Sequence, residues 1–540
     1  MKFQANFNNV SPIVSQLNQE KPAKDLKPSW MSESLFSEED LNIFLAKGIE
    51  TAEVLRQLEI LREGALPLKL AKPARVGDGI AQIAPDKMNA YASLYNEVAE
   101  GGRVLKFVPA SGAASRMFKN WYLYKQGKSI SDGLAVKFCH DIGNFAFYDD
   151  LKRIMALDGR DIRSYLHSKR CTDIIEYIIG TKGLNYGWLP KALIKFHIYP
   201  GRSRTAMEEH LVEAAHYARD ARNICRIHFT VSEEHESCFR KLLLEVKSYY
   251  EHLFGVSYEV GITKQLPSTE TIAVGMDNKP VRDTDGKIMF RPGGHGALLA
   301  NVNALDADII FIKNIDNVVP DRLKDITVLY KKILGGYLIR LRDEIFHNIN
   351  LLLGGEVDDE VLSKIICFCQ EKLFLSFPHE FSSYSASAKN DYIFSRLSRP
   401  IRVCGVVKNE GQPGGGPFWV QGEDGTCSLQ IVEKDQVDIN SEQQGDIWKS
   451  ASHFNPVDLV CSFKNYQGEK FDLNVYANKG AVFISRKSYN GDEIKVLELP
   501  GLWNGSMALW NTVFVEVPIQ TFNPVKSIED LLRESHLPSD

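Results

Sequence analysis

The sequence has no excess of charge of one sign and no long apolar run. Its 540 residues carry 64 basic and 69 acidic side chains, mixed along the chain, for a net charge of -5. A protein that binds nucleic acid without sequence preference needs a strongly basic face, so nucleic acid is not an expected partner. No stretch approaches the ~18 apolar residues of a membrane-spanning helix, so a membrane is not expected either.

Signals for export and for disulfide bonding are also missing. Residues 1–20 lack the continuous apolar core of a signal peptide, which predicts a cytoplasmic location. The nine cysteines are odd in number, scattered and mostly set in apolar runs, which favours reduced buried thiols. Cys367 and Cys369 are the only close pair, and the helical spacing of the apolar residues around them favours core packing over a metal or redox role. Nothing in the sequence indicates the oligomeric state.

The pattern of the chain divides it into three regions. Residues 1–100 are predicted to be a mainly helical N-terminal region, with Ser37 as a helix N-cap. From residue 104, short β-branched runs alternate with amphipathic helices, which predicts a mainly parallel sheet covered on both faces. This α/β core extends over 101–398 with a helical, aromatic insertion at about 120–188, and a β-rich C-terminal part follows over 399–540.

Small residues separate the first strand of the core from the next predicted helix, in the segment PASGAASRM at 109–117. Such a loop lets backbone N-H groups approach phosphate oxygens, and a helix N-terminus favours an anion. Arg116 can grip a phosphate with two hydrogen bonds, and Lys119 follows one turn later. Tight packing of strand against helix is the alternative explanation for the small residues. The candidate backbone donors are Ala110, Ser111, Gly112 and Ala113.

Three further positions carry candidate chemistry. Lys191 follows a proline and offers a point charge for a polyphosphate, although a surface lysine at a strand start explains it as well. The turn RPGGHG at 291–296 is a second loop where backbone can lie against a ligand, and His295 within it is expected to pack or hydrogen-bond in the loop. Asp316 ends a buried strand, where a carboxylate suits Mg2+ or, alternatively, an Asx turn.

The order of these pieces resembles the UDP-N-acetylglucosamine and UDP-glucose pyrophosphorylases. In that group a loop L-x-G-G-x-G-T-R-[LM] binds the triphosphate, a Pro-Lys pair supplies a phosphate-binding lysine, a Gly-rich loop contacts the nucleobase and ribose, and a strand ends in V-D-N. The corresponding segments of this chain are PASGAASRM, PKALIKF at 190–196, PGGHGALL at 292–299 and NIDNV at 314–318. FVEVPIQTFNPVKSI near the C-terminus is similar to a further motif that places a lysine, here Lys526, at the phosphates.

The resemblance implies a glycosyltransferase-A-like, Rossmann-like nucleotidyltransferase that forms a UDP-sugar and pyrophosphate from UTP and a sugar 1-phosphate with Mg2+. It implies Arg116, Lys191 and Lys526 as catalytic phosphate-binding residues, and Asp316 as the metal ligand. It also implies nucleotide contacts from both loops and sugar-phosphate contacts from two residues nearer the C-terminus. The second-loop residues are Gly293, Gly294, His295 and Gly296, and the sugar-phosphate residues are Asn455 and Lys464.

The first loop departs from the family pattern. It has Ser-Gly-Ala-Ala-Ser where the group has Gly-Gly-x-Gly-Thr, and each added methyl group narrows the approach of a phosphate. Whether Lys119 or Lys191 holds the triphosphate is left open by the insertion between them. Two alternatives therefore stand beside the transferase: a catalytically weak protein that binds nucleotide or sugar phosphate, and a glycosyltransferase that uses a sugar nucleotide. The Asp-Ala-Asp at 306–308 precedes its strand, which disfavours the glycosyltransferase.

Overall fold

The computed structural model of the protein describes residues 35–112, 114, 117–125, 132–354, 357–411 and 414–538. The α-helices are α1 Glu38–Lys47, α2 Thr51–Glu63, α3 Pro85–Glu100, α4 Lys119–Lys125, α5 Asp132–Asp141, α6 Tyr148–Leu157, α7 Ile162–His167, α8 Cys171–Ile179, α9 Ala206–Tyr217, α10 Glu236–Phe254, α11 Leu298–Asn303, α12 Asp321–Leu353, α13 Asp359–Glu371, α14 Ala386–Leu397 and α15 Glu442–Lys449. None of the helices in the described ranges combines the length and the apolar composition that a membrane crossing requires.

The strands form one large central sheet and three smaller ones. They are β1 Leu70–Pro73, β2 Arg75–Val76, β3 Gly79–Ala81, β4 Val104–Pro109, β5 Lys195–Tyr199, β6 Arg202–Thr205, β7 Ile224–Thr230, β8 Ser257–Thr263, β9 Glu270–Gly275, β10 Phe290–Pro292, β11 Ile309–Lys313, β12 Ile401–Lys408, β13 Gly416–Gln421, β14 Cys427–Val432, β15 His453–Phe454, β16 Asp458–Ser462, β17 Phe483–Tyr489, β18 Asp492–Glu498 and β19 Asn511–Glu516. The smaller sheets have the orders β1-β13-β14, β10-β9-β18-β17 and β5-β6.

The central sheet is mixed and mainly parallel, which confirms the predicted fold class. Its order is β2-β3-β19-β12-β16-β11-β4-β7-β8, with β15 paired to β12. Of the strands along this order, β16 alone runs antiparallel to its neighbours β11 and β12. Because β16 lies between two strands that it opposes, β11 and β12 are parallel to each other. The carboxyl ends of β4, β7, β8, β11, β12 and β19 therefore lie at one edge of the sheet.

Alternating side chains along the central strands fill two cores. Val108 and Phe311 belong to the core on the face covered by α3, α9 and α12, whereas Phe107 and Ile312 belong to the core on the other face. This alternation follows from the two-residue period of a strand. The buried face of α12 includes Gly336, where an added Cβ would lie 1.9 Å from the Tyr91 carbonyl oxygen on α3. Glycine at that position allows the two helices to pack with their backbones close together.

The N-terminal helices cover one of the smaller sheets. Ser37 and Asp40 form a reciprocal capping box at the start of α1, as two hydrogen bonds between side chain and backbone show. Phe44 of α1 and Leu58 of α2 share a core with Ile272 of β9. The capping box and this apolar face fix the helices against the sheet.

The predicted boundary at residue 398 does not separate two units, because the central sheet crosses it. β12, β16 and β19 come from the region after residue 398, yet they belong to this sheet. β16 lies beside β11, and β12 and β19 follow it outward, on the side of β11 away from β4 and β7. β2 and β3, from the N-terminal region, complete the same sheet. The segments that follow β12 and β19 therefore reach the same carboxyl edge as those of the core, whereas the segment that follows the antiparallel β16 reaches the opposite edge.

Candidate functional site

Three residues predicted from separate motifs meet at the carboxyl edge of the central sheet. Lys191 Nζ lies 2.7 Å from Asp316 Oδ2, and Lys526 Nζ lies 3.8 Å from the same oxygen. The carboxylate and Lys191 are largely enclosed, with 11% and 14% of their side chains exposed, whereas Lys526 is 53% exposed. One carboxylate thus lies between two ammonium groups at the edge where open α/β sheets bind ligands.

Backbone pairing explains why such distant residues meet. Asp316 follows the end of β11, and its carbonyl oxygen accepts a hydrogen bond of 3.0 Å from Val525 N. Asn317 forms an isolated bridge with Pro524. Lys191 begins a short 3-10 turn and donates a 2.7 Å hydrogen bond to the Val525 carbonyl oxygen. The C-terminal segment is therefore fixed to the end of β11, and it brings Lys526 beside Asp316.

The two lysines determine the charge state of the carboxylate. Burial by itself raises the pKa of the Asp316 carboxyl, but the charges of Lys191 and Lys526 outweigh that effect and hold the pKa below its usual range. Asp316 is consequently ionised at neutral pH. The described contacts of the carboxylate to other side chains all use Oδ2, so Oδ1 has no side-chain partner among the described residues.

The first small-residue loop lies beside these residues. Ala110 N donates to the Thr230 carbonyl oxygen at the end of β7, and Ala110 is buried. Ala114 N donates to the carbonyl oxygen of Leu189, two residues before Lys191. The Met117 carbonyl oxygen accepts from Ile528 N, two residues after Lys526. The described parts of the loop therefore contact both segments that carry the lysines.

Several predicted loop residues can now be assigned a place. Ser111 is half-buried and Gly112 is exposed, and an added Cβ on Gly112 would meet nothing within 4 Å. Lys119 is exposed at the start of α4. Of the two lysines considered for the triphosphate, Lys191 is the one with a described ion pair to Asp316. Ala113 and Arg116 lie outside the described residues, so their predicted roles remain predictions.

The glycines of the second loop pack against the segment that follows β18. An added Cβ would lie 2.6 Å from the Thr269 carbonyl oxygen at Gly293 and 2.4 Å from the Pro500 carbonyl oxygen at Gly296. Gly294 has a φ of +74°, in the left-handed region that favours glycine. Close backbone packing therefore accounts for Gly293 and Gly296, and the positive φ accounts for Gly294; nothing in their contacts assigns them a ligand.

His295 belongs to a small polar and aromatic group. Its Nδ1 accepts a hydrogen bond of 3.0 Å from Leu502 N, and its ring stacks on Trp503 with centroids 4.1 Å apart. Its Nε2 lies 3.5 Å from Glu433 Oε1. Burial raises the pKa of the Glu433 carboxyl, but His295 and, more weakly, Lys526 hold it below its usual range. The sequence analysis gave no role to Glu433 or Trp503, because no motif marks either residue.

Lys464 lies at the opposite edge of the sheet, so its predicted contact with a sugar phosphate at this site is corrected. It pairs with Asp308 at 2.7 Å and with Asp306 at 3.2 Å, both before the start of β11. Asp316 follows the other end of β11, and a strand rises about 3.3 Å per residue. The five residues of β11 therefore separate the two positions by about 16 Å along the strand direction.

Asn455 lies at the carboxyl edge, but both polar atoms of its side chain are used within the protein. Its Nδ2 donates to the Gly405 carbonyl oxygen at 3.0 Å, and its Oδ1 accepts from Val457 N at 3.0 Å. The residue is 2% exposed. These contacts give Asn455 a role in holding the backbone before β16 and offer no support for the predicted sugar contact.

Asp316 is a fitting ligand for a magnesium ion that arrives with a phosphate. Among the described residues there is no group of three or more His, Cys, Asp or Glu side chains that could hold a metal. Magnesium keeps several waters and commonly uses one or two carboxylates together with substrate phosphate oxygens. A single ionised carboxylate whose Oδ1 has no side-chain partner among the described residues meets that requirement, whereas a dedicated protein cage is not formed by the described residues.

Comparisons with known proteins identify one matching family and several solved structures of distantly similar fold. Solved structures similar to this one include UDP-N-acetylglucosamine pyrophosphorylase from Trypanosoma brucei, with 12% identity and a TM-score of 0.45 over 92% of this chain and 79% of that chain. They also include a UDP-glucose phosphorylase from Trypanosoma brucei, with 14% identity and a TM-score of 0.44 over 92% and 77%. A variant of UDP-glucose pyrophosphorylase from Leishmania major has 13% identity and a TM-score of 0.43 over 93% and 79%. TM-scores and identities this low do not establish a shared activity.

No curated protein matches the sequence. A family model does match, and it covers nearly all of the described residues, from 37 to 537. The chain therefore belongs to the family described as a domain of unknown function, DUF4301.

Proposed function

We propose that the protein is a magnesium-dependent nucleotidyltransferase that uses the carboxyl edge of the central sheet to bind a nucleoside triphosphate. The observation that carries this proposal is the meeting of Lys191, Asp316 and Lys526 beside the first loop. Two ammonium groups and loop backbone suit a polyphosphate, and an ionised carboxylate suits its magnesium ion. The proposed substrates are UTP and a sugar 1-phosphate, and the products are a UDP-sugar and pyrophosphate.

The reaction would be an in-line displacement at phosphorus. A phosphate oxygen of the sugar 1-phosphate forms a bond to the α-phosphorus of the nucleotide, and the bond from that phosphorus to the bridging oxygen of the β-phosphate breaks. The electron pair leaves with pyrophosphate, so neither oxidant nor covalent enzyme intermediate is needed. Positioning and neutralisation of charge carry most of the catalysis of such a step.

The contacts suggest how the side chains divide this work. Asp316 and Lys191 neutralise each other, with one oxygen and one nitrogen 2.7 Å apart. With a magnesium nucleotide bound, Lys191 would exchange its carboxylate partner for a phosphate oxygen, and Asp316 would hold the ion. Lys526, which is half exposed and 3.8 Å from the carboxylate, would contact the incoming phosphate. Arg116 is proposed as a further phosphate contact from its position in the sequence alone.

The experiment is to measure pyrophosphate release from each nucleoside triphosphate with Mg2+ and a panel of sugar 1-phosphates. We expect release with UTP and one sugar phosphate, and a loss of at least about 100-fold in Asp316→Ala, since preorganised charges at a reacting phosphate commonly contribute that much. Lys47→Met is the matched control, because Lys47 forms an ion pair of the same 2.7 Å length with Glu270 on the small β9-containing sheet. The control should turn over like the wild type.

Two outcomes would count against the transferase. Full activity in Asp316→Ala would remove the carboxylate from the mechanism. No release with any pair of substrates, together with saturable UTP binding, would instead indicate a protein that binds nucleotide without turnover. The Ser-Gly-Ala-Ala-Ser sequence of the first loop is the observation that favours this second candidate.

A further inference from the structure

Five charged side chains are buried on one face of the central sheet, below the edge that carries Asp316. Each of these side chains is at most 4% exposed. The neighbouring positions on the same face of β4 and β11 are apolar, as Val104, Val108 and Phe311 show. The charges therefore occupy positions where core residues are otherwise found. We call them the buried network: Lys106 on β4, Lys313 on β11, Asp458 on β16, Glu213 on α9 and Lys331 on α12.

Glu213 joins the two strands through both of its carboxylate oxygens. Its Oε2 accepts a hydrogen bond of 2.8 Å from Lys106 Nζ, and its Oε1 accepts one of 2.7 Å from Lys313 Nζ. Lys106 Nζ also donates to the His210 carbonyl oxygen at 3.1 Å. Lys331 forms an ion pair with Asp458, which is the register partner of Lys313. The network thus ties α9 and α12 to three adjacent strands.

The two strands held by Glu213 are the strands that lead into the candidate site. β4 continues into Ala110 and the first loop, and β11 continues into Asp316 three residues after Lys313. Helix α9 makes a second contact at the same place, since His210 Nε2 donates to the Ile315 carbonyl oxygen at 3.2 Å. His210 and Glu213, one turn apart on α9, therefore hold the ends of β4 and β11 and the residue before Asp316.

Stability alone does not account for this arrangement. Apolar residues of similar volume often stabilise a core as well as a buried ion pair does, because the charges lose their hydration. Burial lowers the pKa of Lys106 to about 7 and lowers the pKa of Lys313, while the lysines hold the pKa of Glu213 well below its usual range despite its own burial. Glu213 is thus the anion that pairs with two buried lysines, whose burial costs free energy of hydration. What the arrangement provides in return is a fixed position of β4 relative to β11.

We propose that Glu213 is a positioning residue, which aligns the ends of β4 and β11 so that residues 110–112, at the start of the first loop, and Asp316 form one binding site. The identity of the ligand in this inference rests on the proposed function, whereas the alignment of the two strand ends does not. Binding sites lose affinity steeply when their groups are displaced, and a shift of about 1 Å can cost about 100-fold in rate.

The test compares two variants and a control. Glu213→Gln keeps the shape of the side chain but removes its charge. The triple variant Lys106→Met, Glu213→Leu, Lys313→Met replaces the three connected charges by apolar groups and is designed to keep the fold if the single variant does not. Asp220→Asn is the control, because Asp220 is also buried and pairs with Arg226 at 3.0 Å, near the amino end of β7. Circular dichroism and thermal unfolding identify the variants that are folded.

Two readouts are taken on the folded proteins. Amide hydrogen exchange is measured in peptides covering residues 106–119 and 310–318, and the Kd of magnesium UTP is measured by calorimetry. We expect the folded Glu213 variants to exchange faster in these two segments and to bind nucleotide at least about 10-fold more weakly, while the control changes neither. The inference would be overturned if a folded Glu213 variant had the same amide exchange in these segments and the same Kd for magnesium UTP as the control. If the wild type binds no nucleotide, the proposed function fails, and exchange alone still decides whether Glu213 positions the two segments.

Discussion

Replacing Lys191 by Met should have opposite effects on two ligands of the same site. The variant is expected to bind magnesium ion alone more tightly than the wild type and to bind magnesium UTP more weakly. The reason is that Lys191 now neutralises Asp316 at a distance of 2.7 Å, which disfavours a free divalent cation at that carboxylate. The same ammonium group is proposed to hold a phosphate oxygen once a nucleotide is present.

The size of each effect follows from the geometry. An ion held by the Asp316 carboxylate would lie about 4–6 Å from the Lys191 nitrogen, which is 2.7 Å from Oδ2. A double and a single positive charge at that distance repel by about 1.4–2 kcal/mol even with the dielectric constant of water, which corresponds to a Kd about 10–30-fold lower when the lysine is removed. For the nucleotide, loss of one hydrogen bond to a charged group costs about 1.5–3 kcal/mol.

Isothermal titration calorimetry with magnesium chloride and then with magnesium UTP measures both effects on one protein sample. Lys47→Met again provides the control, since its ion pair with Glu270 has the same length and lies outside the site. The reasoning would be refuted if Lys191→Met bound magnesium no better than the wild type and bound the nucleotide equally well. Weaker binding of both ligands would show that Lys191 supports the fold of the site and does not compete with the metal.

Two further predictions concern the frame around the site. Burial and the neighbouring His197 lower the pKa of His536 to about 2. Below pH ~6.5 this histidine is therefore protonated in the unfolded chain but not in the folded chain. The free energy of unfolding should fall by roughly 1.4 kcal/mol for each unit by which the pH decreases below that value. Unfolding temperatures measured from pH 7.5 to 5.0 should therefore decline less in His536→Leu than in the wild type, and equal slopes would exclude this histidine as the cause. Gly336→Ala should destabilise the protein by roughly 1–3 kcal/mol or more, because its Cβ would meet the Tyr91 carbonyl oxygen. Gly354→Ala, at the end of the same helix, is the control in the same denaturant titration, and similar values for both would contradict the packing argument.

The local patterns of the sequence were sufficient to predict the class of the fold. Alternation of β-branched strands with amphipathic helices predicted a mainly parallel sheet, and this sheet is present. Residues 309–312 of β11 form a continuous apolar run because the strand is buried on both faces. A buried strand of this kind can be predicted without knowing which strands pair with it. The continuation of the central sheet across residue 398 was not predictable in this way, because strand partners far apart in sequence are chosen by tertiary packing.

The candidate site shows the same limit at the level of single residues. Lys191, Asp316 and Lys526 were each predicted from a short motif, and the structure brings them together. Lys464 and Asn455 were predicted from motifs of the same kind, yet one lies at the opposite edge and the other is occupied by backbone contacts. A motif gives the residue type and its local conformation, but it does not give the partners of the side chain.

By itself, then, the sequence determined which segments are strands, helices and small-residue loops, because these depend on periodicity and on the conformational preferences of neighbouring residues. The tertiary structure alone decided which loops share an edge, since β16 inserts antiparallel between β11 and β12 and the C-terminal segment pairs with the residues after β11. It also decided that Lys106, Glu213 and Lys313, which read as ordinary charges along the chain, are buried together. Burial and pairing are properties of the assembled core, and no local pattern records them.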